Sequence, residues 1–599
     1  MKGKLLKKII VGMTAMAMIF SVNTFAFADE GDGDIIITNA GELANAIAQQ
    51  SDGQTWRIKA GTYNLGEADL AKYADITPGN SGQGNWYFPI TESITIIGEG
   101  DVTITSDVER DNGAWASQDF VSVWADGVTI ENVDFTCKKE VNKAIEVMGK
   151  NFTLKDSTIK PVKYDDGTVN SGSVYFNAAD VGATTLENVE VHSWISAPVG
   201  TVTDGTIALV NTTIDFTDNA YAGNSSYGVM SSNDVFNAEN GLTVVVDDAM
   251  DIQKQVIDRI PEQATVSLAE NVAVDEMLYI QTQGVTIEGN GHQITASEDF
   301  AAGTHGQIQL VKIETDNVTI KNVDLIGTEK TKHTLDVYGA ENLNLENVTL
   351  DHSKSQPGAP LIINGSGVVV SGEFNVITGE NSWYGINLDN KNGNATIEFN
   401  DDCNATFTDG RPDAVKEAAP IVFAEITENA NSNQTKPEDT VINPENAGII
   451  FNDETGFEQL YDVSLVINYN TKDGKTVDTQ RFTEKAPEGQ FTWTDQGEAA
   501  NFKLRTPEGY KITDYEESFK TPLTVEVVAD AANETVKTVY VEAVEAAGGN
   551  TDQATTDTEK SDKAPATGDE SNVIIPFVAA GLALMAIAVT VATRRKHNQ

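Results

Sequence analysis

One pattern constrains this chain more than any other: apolar–Thr–apolar–polar–Asn–apolar–polar–apolar. It reads Val128-Thr129-Ile130-Glu131-Asn132-Val133-Asp134-Phe135 and returns at residues 152–159, 184–191, 318–325 and 343–350. A shorter copy lies around Leu209-Val210-Asn211, and weaker ones at Ile96, Ile287, Val370 and Ile397. With the central apolar residue as marker, a first array steps through 96, 130, 154, 186 and 209, at intervals of 34, 24, 32 and 23 residues. A second array steps through 287, 320, 345, 370 and 397, at intervals of 33, 25, 25 and 27. The apolar alternation has period two, which is the strand period. A strand with one apolar face, repeated at such intervals, buries that face only by stacking on copies of itself.

Stacked coils of parallel strands are therefore expected. Two residues after the marker stand Asn132, Asp156, Asn188 and Asn211 in the first array, and Asn322 and Asn347 in the second. Asn and Asp tolerate left-handed backbone and bond to neighbouring main chain, so these six read as a structural turn ladder, not as catalytic groups. Each array opens on a helix-like segment, residues 39–47 and 248–256. Each then shows a short strand (Trp56-Arg57-Ile58, Val266-Ser267-Leu268) and a glycine pair (Gly98 with Gly100, Gly289 with Gly291). An apolar solenoid end needs a cap, so the second helix-like segment predicts a second module. The expected division is 29–245 for one β-helix module and 246–428 for the next.

The strand repeats, the 43–47 helix and the Ala60-Gly61-Thr62-Tyr63 turn resemble the right-handed parallel β-helix superfamily of pectate lyases and polygalacturonases over residues 35–410. The resemblance implies a mainly β fold of two tandem right-handed parallel β-helix modules. It also implies that any ligand lies along the first strand of each coil. In the second module that outward face carries Lys312, Asp336 and Tyr338, with His333 at its edge; in the first it carries Trp124 beside Ser122, Glu146 and Met148, with Tyr175 or Phe176 nearby. A Lys, a His and a Tyr on one groove could abstract a proton from a sugar acid, and an exposed Trp could stack on a sugar ring. The superfamily's catalytic signatures (Asn-Thr-Asp, Gly-His-Gly, Arg-Ile-Lys, Trp-x-Asp-His) are absent, and His292, His305, His333 and His352 fall at different offsets in their coils. No catalytic residue is assigned, and binding is favoured over catalysis. No cofactor and no metal ligand set is assigned: acid pairs such as Asp165-Asp166 and Asp247-Asp248 give calcium no support in a chain with 90 acids.

Residues 429–446, rich in Asn, Pro, Thr and Glu, read as a linker, and 447–545 as a small all-β stalk domain with a hairpin turn at Asp473-Gly474. That domain weakly resembles Ig-like and mucin-binding stalk domains. Residues 546–563, with little to bury, read as a disordered tether.

The two ends carry addresses. Residues 1–28 have the charged, apolar and small-residue regions of a signal peptide cut after Ala28. At the other end Ala564-Pro565-Ala566-Thr567-Gly568 precedes an apolar stretch, 573–592, long enough to cross a bilayer, and a basic tail, 593–599. This order resembles a sortase sorting signal, with Ala564 where the family pattern has Leu. It implies a transmembrane precursor, cleavage after Thr567, and sortase and peptidoglycan as partners. The formal charge of −50 becomes −54 without the four lysines of the leader, which disfavours nucleic acid and anionic membrane as partners. The expectation is a secreted, cell-wall-anchored surface protein, an adhesin or binder of host or environmental glycans or proteins. The alternatives are a surface polysaccharide lyase or glycoside hydrolase and a passive structural component.

Overall fold

The computed structural model describes residues 33–544 apart from 77–86, 109–118, 138–142, 161, 164–168, 171–173, 199, 218–222, 224–227, 231–234, 304, 413–423, 428–438, 453–455, 498 and 530. The leader, the tether, the 564–568 motif, the 573–592 span and the basic tail lie outside the described residues. No helix among the described residues is long and apolar enough to cross a membrane.

The chain opens on Ile35–Ile37 and a helix, Ala40–Ala48, whose first turn is closed twice. Asn39 accepts from the Glu42 amide at 3.0 Å, and Glu42 accepts in return from the Thr38 amide and hydroxyl, both at 2.8 Å. The helix buries Leu43, Ala44, Ala46 and Ile47 over the end of the stack. From there the strands build one long parallel ladder, with a second, shorter ladder on another side of each coil.

In the long ladder the turn ladder residues explain the coil's corner. Asn132, Asp156, Asn188, Asn211, Asn322 and Asn347 all have left-handed backbone, φ between 47° and 56°. The kink places two inward residues three positions apart instead of two: Ile130 with Val133, Leu186 with Val189, Ile320 with Val323, Leu345 with Val348, all buried. In two coils the second inward position is polar and bonds back to main chain, Ser157 Oγ to the Lys155 carbonyl at 2.7 Å and Thr212 Oγ1 to the Leu186 carbonyl at 3.0 Å. Along the axis the corner amides bond to one another. Asn188 donates to Asp156 and Asn211 to Asn188, both at 2.8 Å, and Asn347 donates to Asn322 at 3.0 Å.

The two arrays are continuous. Phe236–Val246 pairs with Thr265–Leu268 in parallel register (Val244 opposite Val266), and that strand pairs with Thr286–Ala296. One apolar core runs from Ile37 to Phe457. The expected boundary at 245/246 thus falls inside a single ladder. The helix-like segment expected at 248–256 is a single π turn, Gln253–Ile257, and it caps nothing. It stands where the short ladder would have a strand. The Val229 amide donates to the Gln255 carbonyl at 2.9 Å. On the other side the buried Gln253 side-chain amide accepts from the Tyr279 N–H at 2.7 Å and donates to the Tyr279 carbonyl at 3.2 Å. A side chain here imitates the hydrogen-bonding edge of a β-residue. This plug divides the short ladder in two: Phe88–Ile90, Asp119–Val123, Lys143–Val147, Val174–Phe176 and Ile195–Ser196 before it, and Leu278–Ile280, Val311–Ile313, Leu335–Tyr338, Leu361–Asn364, Ile386–Asp389 and Ala424–Thr427 after it.

Of the linker expected at 429–446, residues 429–438 lie outside the described residues; in the remainder Val441–Ile442 pairs with the Thr396–Phe399 strand as a further rung of the stack. Beyond a hairpin of Ile449–Asn452 and Gly456–Gln459 lies a second core, with Val463, Leu465, Ile467, Tyr469, Trp493, Phe502, Val539 and Val541. Its sheet is mixed: Tyr461–Asn470 pairs antiparallel with Thr476–Ala486 and parallel with Glu534–Ala543. The first pair turns at Gly474, with φ of 86°.

Candidate functional site

Register places the second half's candidates on one face. Leu278, Ile280, Val311, Ile313, Leu335 and Val337 point into the core, so Tyr279, Lys312, Asp336 and Ile362 form one row across four coils. Tyr338 stands two residues beyond Asp336, opposite Asn364. Lys312 and Asp336 are nonetheless buried, at 6% and 8% exposure, while Tyr338 is open at 38%.

Lys312 and Asp336 are cross-strand neighbours, but their partners differ from the ion pair that adjacency suggests. The Lys312 ammonium pairs with Glu314 at 2.7 Å and sits 4.9 Å from the Tyr338 ring centre and 5.5 Å from that of Tyr279. Two aromatic faces thus bracket one cation. Glu314 also accepts from the Tyr279 hydroxyl. Burial works to raise Glu314, but the Lys312 and Tyr279 bonds outweigh it and hold the carboxylate below its usual range. Tyr279 is pushed up to about 12 by burial and by Glu314, so it remains a phenol. Asp336 accepts from the Gln309 amide at 3.0 Å, and burial raises its carboxyl.

His333 lies off this row. Its Nδ1 accepts from the Ala359 amide at 3.1 Å, and burial, with Lys332 and His352 nearby, pushes it down to about 3. It is neutral at physiological pH and serves as an edge-on neighbour of Trp383, 6.0 Å between ring centres. His352 ties coils together, with the Ser382 hydroxyl at Nδ1 (2.8 Å) and the Lys332 carbonyl at Nε2 (2.7 Å). Trp383, which sequence reading missed, is 44% exposed and has the Lys332 ammonium 5.2 Å from its ring centre. Its signal was the Ser382-Trp383-Tyr384 cluster in a turn just ahead of a short-ladder strand.

Trp124 is half-buried directly after Asp119–Val123, its amide bonded to the Ile90 carbonyl at 2.8 Å. It belongs to the ladder before the plug, so the fold does not bring it to Lys312, Asp336 and Tyr338. On that first ladder the structure assembles a group the repeat pattern did not reveal. Asp119 is the direct register partner of Lys143, and Glu146 that of Tyr175. Lys143 Nζ lies 2.7 Å from Glu146, 3.8 Å from Asp119 and 4.1 Å from the Tyr175 ring centre, and Asn177 donates to Glu146 at 3.0 Å. Asp119 is pushed up to about 9 by burial and by the neighbouring Glu146. Burial would raise Glu146 too, but Asp119, Lys143 and Asn177 together hold it low.

Glu190, His192 and Asp215 also meet, on the long ladder. The two ring nitrogens face different carboxylates, Nε2 toward Glu190 at 2.7 Å and Nδ1 toward Asp215 at 3.4 Å, which is the geometry of a bracketed imidazolium. A cleft of about 620 Å³ lies elsewhere, at the junction of the arrays, lined by Phe236, Asn237, Asp258, Arg259 and Glu262 among others.

The ladders define a parallel β-helix protein. No protein-family model matches the chain, and no curated protein does. Among solved structures it is similar to the A-modules of two mannuronan C-5 epimerases of Azotobacter vinelandii. The first has 11% identity, covers 68% of this chain and 95% of its own, and has a TM-score of 0.29. The second has 12% identity, 65% and 94% coverage, and a TM-score of 0.23. A PL6 family polysaccharide lyase of Pseudopedobacter saltans follows at 11% identity, 68% and 94% coverage, and a TM-score of 0.26. At these values the likeness carries no argument about chemistry.

Proposed function

We propose that this chain is a surface-displayed glycan-binding protein whose ligand lies on the short-ladder face after the plug. The observation that carries this reading is the pairing of open aromatic rings with lysines: Tyr338 with Lys312 and Trp383 with Lys332. The buried Lys312 ammonium backs one face of Tyr338 and leaves the other for the apolar face of a sugar ring. Asp336, Gln309 and Asn364 beside it supply acceptors and donors for hydroxyls.

On this face Glu314 is tied to Lys312 and the Tyr279 hydroxyl, Tyr279 is pushed up to about 12 and His333 down to about 3, so none of them is tuned for proton abstraction near neutrality, which favours binding. Replacing Tyr338 by Ala should weaken binding of an array-identified glycan about tenfold, the effect of losing one ring stack of about 1.4 kcal/mol, with melting unchanged. Unaltered affinity in Y338A would remove this face from the reading.

Display follows from the end motifs as a proposal. Sortase would join Thr567 to peptidoglycan, giving an adhesin-like protein in the wall. Thr567→Ala should move the protein from the wall fraction to membrane or medium. Retention in the wall after detergent extraction would refute the anchor.

A further inference from the structure

We infer that Lys143 and Asp119 join in an intramolecular amide bond, formed by the protein itself with Glu146 as proton relay. The inference rests on three groups in contact and on where they sit. Asp119 opens Asp119–Val123 and Lys143 opens Lys143–Val147, and the two are directly opposed in the parallel ladder. The Asp119 side chain is 1% exposed, and among the described residues neither of its oxygens has a hydrogen-bond partner. A buried carboxylate in that position would have only the Lys143 ammonium at 3.8 Å, which Glu146 already holds at 2.7 Å. Burial and the neighbouring Glu146 favour the acid instead, raising the Asp119 carboxyl to about 9. An acid, unlike a carboxylate, is an electrophile for an amine.

The amine is in place. Lys143 Nζ lies 3.8 Å from Asp119 Oδ1, held by Glu146 at 2.7 Å and by the Tyr175 ring at 4.1 Å. The Asn177 amide fixes the same Glu146 oxygen, Oε1, at 3.0 Å. The reaction balances without any co-reactant. Lys143 gives one ammonium proton to the Glu146 carboxylate, and its freed lone pair attacks Asp119 Cγ. Glu146 passes a proton to the Asp119 hydroxyl, which leaves as water when the C–O bond breaks, and takes the second amine proton. The products are one amide, one water and a protonated Glu146; the starting ammonium and carboxylate charges have cancelled. Fixed geometry supplies the entropy of the encounter, and release of water from a buried site disfavours the reverse.

The test is proteolysis of the folded full chain followed by tandem mass spectrometry. The expected product is a branched peptide carrying Asp119 and Lys143, lighter than its two parent peptides together by one water. Glu146→Gln should leave both peptides linear, and so should Lys143→Arg, which keeps a cation against Tyr175 and Glu146. Circular dichroism of both variants verifies that they are folded. Linear peptides alone from the folded unsubstituted chain, after prolonged incubation at neutral pH, would overturn the proposal. So would a branched peptide that survives Lys143→Arg.

Discussion

His192 shows how much a single side chain's environment decides. Glu190, then Asp215, raise its imidazolium above the ordinary histidine value, against the opposing effect of burial. A raised cationic group stabilises the fold fully below its unfolded value of about 6.5, and loses that contribution as pH rises through the higher folded value. Glu190 is held low by the same bond, so its share is present above about 4.3 and is lost as pH falls through its depressed folded value. The pair is therefore strongest between these limits. The melting difference between the unsubstituted chain and His192→Asn should be largest near pH 5 to 6 and shrink above neutrality. A difference that grows with alkalinity would contradict the bracketed geometry. The buried His333 should give the opposite profile: held near 3 in the folded chain and about 6.5 when unfolded, it costs stability progressively as pH falls below about 6.5.

At the scale of elements, the plug makes the sharpest prediction. Gln253 satisfies both main-chain groups of Tyr279, so Gln253→Ala orphans a donor and an acceptor at the edge of the Leu278–Ile280 strand. A cost of about 1–3 kcal/mol follows for each buried group left unmade. Gln253→Glu keeps the acceptor for the Tyr279 N–H but sets a buried carboxyl against that of Asp258, which the Gln253 amide bonds at 2.7 Å, so it should not recover the stability lost in Gln253→Ala. Hydrogen exchange at the Tyr279 amide measures it: protection should drop in Q253A and persist in Q253E.

The helical turn itself was legible as helix-like from 248–256; its role was not. That pattern is the same whether it ends a solenoid or interrupts one, and only the Val244–Val266 and Val266–Ile287 pairings distinguish the two. The corner asparagines could be read at once, because a left-handed residue at a fixed offset leaves a mark in every repeat. The row of Lys312 and Asp336 was legible too, since period two and coil length set the register. The more distant groups packed against them were not: Tyr279 is 33 residues before Lys312, and Gln309 is 27 before Asp336. Asp119 and Lys143 escaped for a simpler reason. Both stand at the first position of their strands, ahead of the apolar alternation at Val121–Val123 and Ile145–Val147 that marks them in sequence.

Over the whole molecule, two separate cores divide the described chain, one from Ile37 to Phe457 and one from Val463 to Val541. The first joins both repeat arrays in one ladder, so they should melt as a linked unit, not as two modules. Calorimetry of the full chain should show one transition for the solenoid and a separate one for the smaller domain. Selective loss of the first array while the second stays folded would revive the division at 245/246.

The direction of the long ladder has a mechanical consequence. Its hydrogen bonds lie along the stacking axis, about 4.8 Å apart from coil to coil. Tension applied between the two ends of the stack therefore loads successive coils in series, each carrying the whole force. The solenoid should extend by peeling at its weakest coil, in a sawtooth of small steps instead of one shear rupture. The plug is where that first tooth belongs, because there the long ladder has no short-ladder strand beside it, only a side-chain amide bonded to Tyr279.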